Sequence, residues 1–428
     1  MKHIVSELVL PNGCRGLLID ISEASVMSFM FNFRAGEFLV PQDKWETPHL
    51  MEHLLLGANK NFPRARDYQA EFEKNGAYNN ASTSIYDVTY ESECADFEWS
   101  RILDLLLMAV TSPLFLESEF KAESGNVREE LVGRSNNHFR HLGISLRINY
   151  GLIGKTDQER LKLIHNVTLE DIQEHYKKTH KTNNLRFIIG GNLTPKRRER
   201  IEQLLGNIDL PKGNSRYLLP NEQPHALVEP LYIRNRTVDN IYFYVDTFIR
   251  SRLNDPEVDA IDLLNIILTE TLYSKIYGTA REQGLVYDMS SGYSQFRDAS
   301  NWWFGTQVTT EHAPDLINIM TTELKNIFNA KLAVSDIEAA QAYALGHFQR
   351  SAQTVLGTMR SYAGRYFFDD KIEDYDMVPK RIRAVTKTAI IDVAHKMFAE
   401  KIWGFGVLGN CGIDIVRELY EQLAPLWD

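Results

Sequence analysis

His49, Glu52 and His53 fall within five residues, "HLMEH" at 49–53, set between Pro48 and the apolar run Leu54, Leu55 and Leu56. Such groups are costly to bury without partners, so the stretch either reaches a cleft or holds an ion. Thr47 is placed to cap a helix, Pro48 suits a first turn and Gly57 can end it, which predicts a short helix over 48–56. On that helix His49 and His53, four apart, share a face, and Glu52 lies beside both. Two imidazole nitrogens at this spacing suit Zn2+, and a carboxylate left off the metal can take a proton from a metal-bound water. A catalytic zinc needs a third protein ligand. In "FKAESGNVREELVGRSNN" at 120–137, a helical stretch, Glu123 and Glu130 are seven apart and face the same way, while Glu129 faces elsewhere. One of the two could ligate the metal while the other orients a histidine. Without the first motif these glutamates read as a solvated helix surface.

The elements that must position these residues come in duplicate. Residues 164–192, "IHNVTLEDIQEHYKKTHKTNNLRFIIGGN", align without a gap to 382–410, "IRAVTKTAIIDVAHKMFAEKIWGFGVLGN", at an offset of 218. Each copy parses as a Thr-capped amphipathic helix, a turn, and a β-run ending in Gly-Asn. Each half also opens with an alternating strand, "SVMSFMFNF" at 25–33 and "NIYFYVDTF" at 240–248. The expected fold class is α+β: two homologous α/β-sandwich domains from an internal duplication, each a mainly antiparallel sheet covered by helices. The segment at 210–230, rich in Pro, Gly and Asn, has no helical period. The expected domains are therefore 1–212, carrying the metal motif, a linker over 213–229, and 230–428.

Composition narrows the class. With 428 residues, 44% apolar and 24% charged, the chain reads as a soluble globular protein of more than one domain. No run is long enough to span a bilayer, and the first twenty residues alternate around Pro11-Asn12-Gly13 like a hairpin, unlike a secretory signal. A formal charge of −10 disfavours nucleic acid as a partner. Cys14, Cys94 and Cys411 make neither a disulfide framework nor a metal knuckle; they fit a reducing compartment, and the expected location is cytoplasmic.

The chain resembles the pitrilysin family of zinc metallopeptidases, the inverzincins, whose HxxEH order reverses the better-known HExxH. Glu130 follows His53 by 77 residues with Glu123 seven before it, the spacing of the family's third ligand and of the glutamate preceding it. The resemblance implies His49, His53 and Glu130 as ligands of one Zn2+ per chain, Glu52 as general base and Glu123 as a supporting carboxylate. "NNASTSIYDVTYES" at 79–92 resembles the family's Asn-Ala-x-Thr edge strand, which pairs with the substrate backbone; this places Asn80, Ala81, Ser82, Thr83 and Ser84 on the substrate. "YGTAREQGLVYDMSS" at 277–291 resembles the segment whose Arg and Tyr hold substrate and steady the oxyanion, which implies those roles for Arg281 and Tyr287, although one residue is missing before Gly284.

The resemblance further implies hydrolysis of peptides or unfolded protein segments in an enclosed chamber, and a homodimer in which the partner chain completes the site. Its alternatives are a catalytically silent peptide-binding or structural subunit of the same fold, or a chain active only beside a different partner. Other motifs read plainly. "HFRH" at 138–141 lacks a third ligand and "KRRER" at 196–200 alternates charge on a solvated face. Trp302 and Trp303, adjacent on a strand, put one ring on each side.

Overall fold

A computed structural model describes residues 1–428. The chain forms two compact units, one of Met1–Gly133, Gln158–Leu219 and Gln349–Glu373, the other of Arg134–Asp157, Pro220–Phe348 and Asp374–Asp428. Periodicity shows a linker in chain order, but it gives no sign that segment 134–157 packs with the later unit and segment 349–373 with the earlier one.

The first unit is built on a six-stranded sheet. Its strands are β1 (Ile4–Val9), β2 (Arg15–Asp20), β3 (Val26–Phe33), β4 (Tyr78–Thr83), β5 (Val88–Ala95) and β6 (Leu185–Gly191), in the spatial order β1-β2-β6-β3-β5-β4. Only β2 and β6 run parallel. Alternation sends Phe29, Phe31 and Phe33 to one face, where they join Phe187, Ile189, Leu50, Leu54, Ile102 and Ile172 in a single core. The opposite face of β3 and β6 is covered by the Val355–Asp369 helix, so close that a Cβ on Gly190 would lie 2.7 Å from Met359 Sδ. Covered on both sides, β3 and β6 lose the polar alternation that β4, at the sheet edge, retains.

The second unit repeats that plan with one strand fewer. The strands β7 (Leu231–Arg234), β8 (Ile241–Ile249), β9 (Met289–Gln295), β10 (Ser300–Val308) and β11 (Ile402–Gly409) lie in the order β7-β11-β8-β10-β9, again with one parallel pair, β7 and β11. Thr168 and Thr386 cap the helices Leu169–Thr179 and Lys387–Ala399, and β6 and β11 follow, as the repeat predicts. Both copies end on a glycine with positive φ: Gly191 at 139°, beneath Met27, and Gly409 at 159°, against Asn240 O. Within β11, Gly404 and Gly406 let the His138–Asn149 helix approach the strand through Tyr150 and Leu146. The duplicated α+β architecture is thus present. Trp302 is fully buried in the core, and Trp303, on the other face, is half-buried against Tyr244. The three cysteines are free and buried, and no helix is long and apolar enough to cross a membrane.

Two local expectations need correction. The metal-motif helix runs Thr47–Leu55 and begins after Glu46. Thr47 does not cap it: already inside the first turn, its hydroxyl donates to Lys44 O at 2.8 Å. The second correction concerns Ser84, which leaves the edge strand and turns, its Oγ accepting from Tyr86 N and Asp87 N. Its side chain is committed to joining β4 to β5.

Candidate functional site

The Thr47–Leu55 helix packs against the Leu169–Thr179 helix and reaches β4. Its apolar residues Leu50, Leu54 and Leu55 anchor it in the core. That packing directs His49 and His53 toward the Glu117–Ser135 helix, where their ring centroids lie 5.0 Å apart. Glu130 Oε2 stands 3.4 Å from His49 Nε2 and 3.7 Å from His53 Nε2. One ligand atom from each of the three residues lies within 4.8 Å of the others, a donor set of two imidazoles and one carboxylate. Glu123, two turns before Glu130, takes the remaining nitrogen: His53 Nδ1 lies 2.9 Å from its Oε2, which also accepts from Asn126 Nδ2 at 3.2 Å.

Glu52, on the same short helix, does not join the three donors. Its Oε2 accepts a 2.8 Å hydrogen bond from Thr83 Oγ1, the last residue of β4, and the side chain is buried. The edge strand therefore holds the carboxylate that stands beside the donor set. Burial disfavours charge on both imidazoles, but hydrogen bonding to Glu130 and Glu46 outweighs it at His49, whose pKa is raised. At His53 burial is likewise opposed, by Glu123 and Glu130, and the pKa is pushed up to about 10. A proton and a divalent cation compete for the same ring lone pairs, so any metal taken up by this donor set would displace protons.

Two family models match the chain. Residues 33–148 match the insulinase model of peptidase family M16, and residues 166–343 match the model of the peptidase M16 inactive domain; together they cover more than two thirds of the chain. The chain belongs to peptidase family M16. Its fold is that of a protease from Helicobacter pylori, with 16% identity, a TM-score of 0.82 and coverage of 95% of this chain and 100% of that one. A peptidase M16 inactive domain from Pseudomonas fluorescens aligns at 15% identity and a TM-score of 0.80, covering 96% and 98% of the two chains. No protein of curated function matches the sequence. In this M16 chain HxxEH lies inside the insulinase match, and the inactive-domain match begins after it, at residue 166, and runs on into the second half.

The remaining expected residues sit as follows. Asn80, Ala81, Ser82 and Thr83 lie on β4, which pairs only with β5 and leaves its other edge open. Arg281 and Tyr287 lie together in the second unit, where the guanidinium carbon stacks 4.4 Å from the tyrosine ring centroid. Arg281 lies in the last turn of the short Tyr277–Glu282 helix, and Gly284, at φ 73°, turns the chain back toward Tyr287, which is 79% exposed. Both residues line a cavity of about 680 Å3 with Phe139, Tyr242 and His312. The shortened segment still brings the cation and the phenol into contact. His138 packs edge-on against Tyr242 on the His138–Asn149 helix, away from any donor cluster. In the 196–200 run, Arg197 pairs with Asp96 and Arg198 with Asp20.

Sequence reasoning missed three residues around the donors. Asn126 carries no signal beyond its place one turn after Glu123. Glu46 was legible only as the residue before the cap, and Arg160, more than a hundred residues away, had no local signal at all.

Proposed function

We propose that this M16 chain is a zinc-dependent endopeptidase that cuts peptides or unfolded protein segments. The observation that carries the reading is the convergence of His49, His53 and Glu130 within 4.8 Å, with Glu52 held alongside and outside the set. The donor chemistry fits: two neutral imidazoles and one carboxylate, with an outer carboxylate on a ring N–H, suit a catalytic zinc. When bound, Zn2+ supplies Lewis-acid chemistry, acidifying a water and polarising a peptide carbonyl.

The protein's own residues do the rest. Glu52 takes a proton and hands it to the leaving amine, with Thr83 fixing one of its oxygens. Glu123 keeps the His53 proton on Nδ1, leaving Nε2 as the donor. The open edge of β4, at Asn80 to Thr83, binds substrate main chain as an added strand, which selects extended peptide over folded protein. Arg281 and Tyr287 offer a fixed cation and a phenol donor to the substrate carbonyl. We infer that they act in a homodimer, whose partner chain completes each site within a closed chamber, and that the protein is cytoplasmic.

The test is metal analysis of the purified protein alongside turnover of a quenched peptide, with and without a chelator. One zinc per chain is expected, cleavage stops with the chelator, and Glu52→Gln keeps the metal while losing cleavage by about 10²- to 10⁴-fold. A Glu52→Gln variant that cuts at the normal rate overturns the assignment of the base. A zinc-loaded homodimer that cuts nothing points to the silent-subunit alternative.

A further inference from the structure

His49 has an outer partner of a different kind from that of His53. We propose that Glu46, clamped by Arg160, is the positioning residue that fixes the His49 ring for metal binding. The inference rests on the metal reading above and extends it to two residues outside the HxxEH pattern.

Glu46 sits directly before the short helix, and its side chain is fully buried. Arg160, on the short Asp157–Leu163 helix, reaches it with two parallel bonds: Nε to Oε1 at 2.5 Å and Nη2 to Oε2 at 2.9 Å. The same Oε2 lies 3.0 Å from His49 Nδ1. A carboxylate gripped by a guanidinium fork stays ionised and can only accept. His49 Nδ1 must therefore carry a proton, so that when a metal displaces the other ring proton it is the Nε2 lone pair, on the side of Glu130, that is presented.

The two histidines are thus supported asymmetrically. His53 depends on Glu123, whose side chain is 28% exposed and which shares the Glu117–Ser135 helix with the ligand Glu130. His49 depends on Glu46 and Arg160, which are 0% and 7% exposed and lie outside the helix that carries both Glu123 and Glu130. One arm of the donor set is prebuilt in the core, and the other arrives with a single helix. Arg160 also lies 3.9 Å from Glu37, a second buried carboxylate. Its loss therefore leaves two buried acids without their cation, and a buried pair is most damaging when only one side is removed. Removing the Glu46 and Arg160 charges together leaves only Glu37 without its cation and is tolerated better than the loss of Arg160 alone.

The experiment uses the full-length protein. Zn2+ affinity is measured by competition with a chromophoric chelator, and the Co2+-substituted protein's visible spectrum reports ligand geometry. The variants are Glu46→Gln, Arg160→Met, the double Glu46→Gln/Arg160→Met, and Arg160→Lys as the conservative control. Glu46→Gln and Arg160→Met are expected to bind Zn2+ about 10- to 100-fold more weakly, with an altered Co2+ spectrum, and Arg160→Lys to recover part of the loss. Where a single variant fails to fold, the double variant decides, since it carries no lone buried charge from this pair. A folded double variant with wild-type affinity and an unchanged Co2+ spectrum overturns the proposal, because a merely structural pair would leave both readouts alone. A wild-type protein that takes up no zinc is a different failure: it overturns the metal reading itself.

Discussion

His175 sits on the helix that supports the metal-motif helix, fully enclosed, with Nε2 donating to Ala35 O at 2.7 Å. Burial is the main reason its pKa is pushed down to about 4; the Lys178 charge adds to this, and the bond to Ala35 only partly opposes it. In the unfolded chain an imidazole titrates near ~6.5. The folded state therefore binds this proton more weakly than the unfolded state, and the contribution to stability is complete above about pH 6.5 and is lost as pH falls toward 4. A difference of roughly 2.5 units corresponds to about 3 kcal/mol when fully expressed, and about 2 kcal/mol between pH 8 and pH 5. The perturbation is His175→Gln, which keeps an N–H for the Ala35 carbonyl and does not titrate. Urea unfolding of both proteins, with chelator present so that the donor set is treated alike in each, gives a pH-by-variant cycle in which any constant cost of the substitution cancels. The wild type should lose about 2 kcal/mol more than the variant between those pH values. Equal losses would refute the argument that a neutral, buried imidazole helps hold this helix in place.

Asp246 works in the opposite direction. Burial raises its pKa to about 7, against hydrogen bonds from Asn301 and Tyr150, so its stabilisation is full below about pH 3.8 and is lost as pH rises to 7. Asp246→Asn should flatten that part of the pH profile in denaturant titrations, removing up to about 4 kcal/mol of dependence. Gly404→Ala places a Cβ 2.5 Å from the Tyr150 ring, so a destabilisation of about 1–3 kcal/mol is expected by thermal denaturation. Arg281→Ala should cut turnover of a quenched peptide about 10²-fold while leaving zinc content unchanged, since the residue lies outside the donor set; an unchanged rate removes Arg281 from the reaction.

The parts of this molecule written locally were legible. Period and capping revealed the duplicated helix and strand pairs after Thr168 and Thr386, because a helix start needs only a side chain and an amide three residues apart. The donor set was legible because His49 and His53 lie one helical turn apart, and Glu123 and Glu130 two turns apart, so each pair is fixed by its own helix. Thr47 misled because the capping rule sees residue type alone: a carboxylate committed to His49 took the cap position. The Arg160 clamp was illegible for the same reason that any long-range ion pair is, since nothing in the short Asp157–Leu163 helix distinguishes it from a solvated arginine. Ser84 looked like the next residue of an alternating strand, and only its bonds to Tyr86 and Asp87 mark a turn.

The exchange of segments between the two compact units constrains how the chain emerges from a ribosome. All six strands of the first sheet have been synthesised by Gly191, but the helix that covers the outer face of β3 and β6 ends only at Asp369. Throughout that interval Met30, Ile188 and the bare backbone at Gly190 face solvent or a chaperone. Fragments made by cutting the chain between its halves would each lack a covering helix, so they should be sticky when expressed alone and should recover solubility only when both are produced in the same cell.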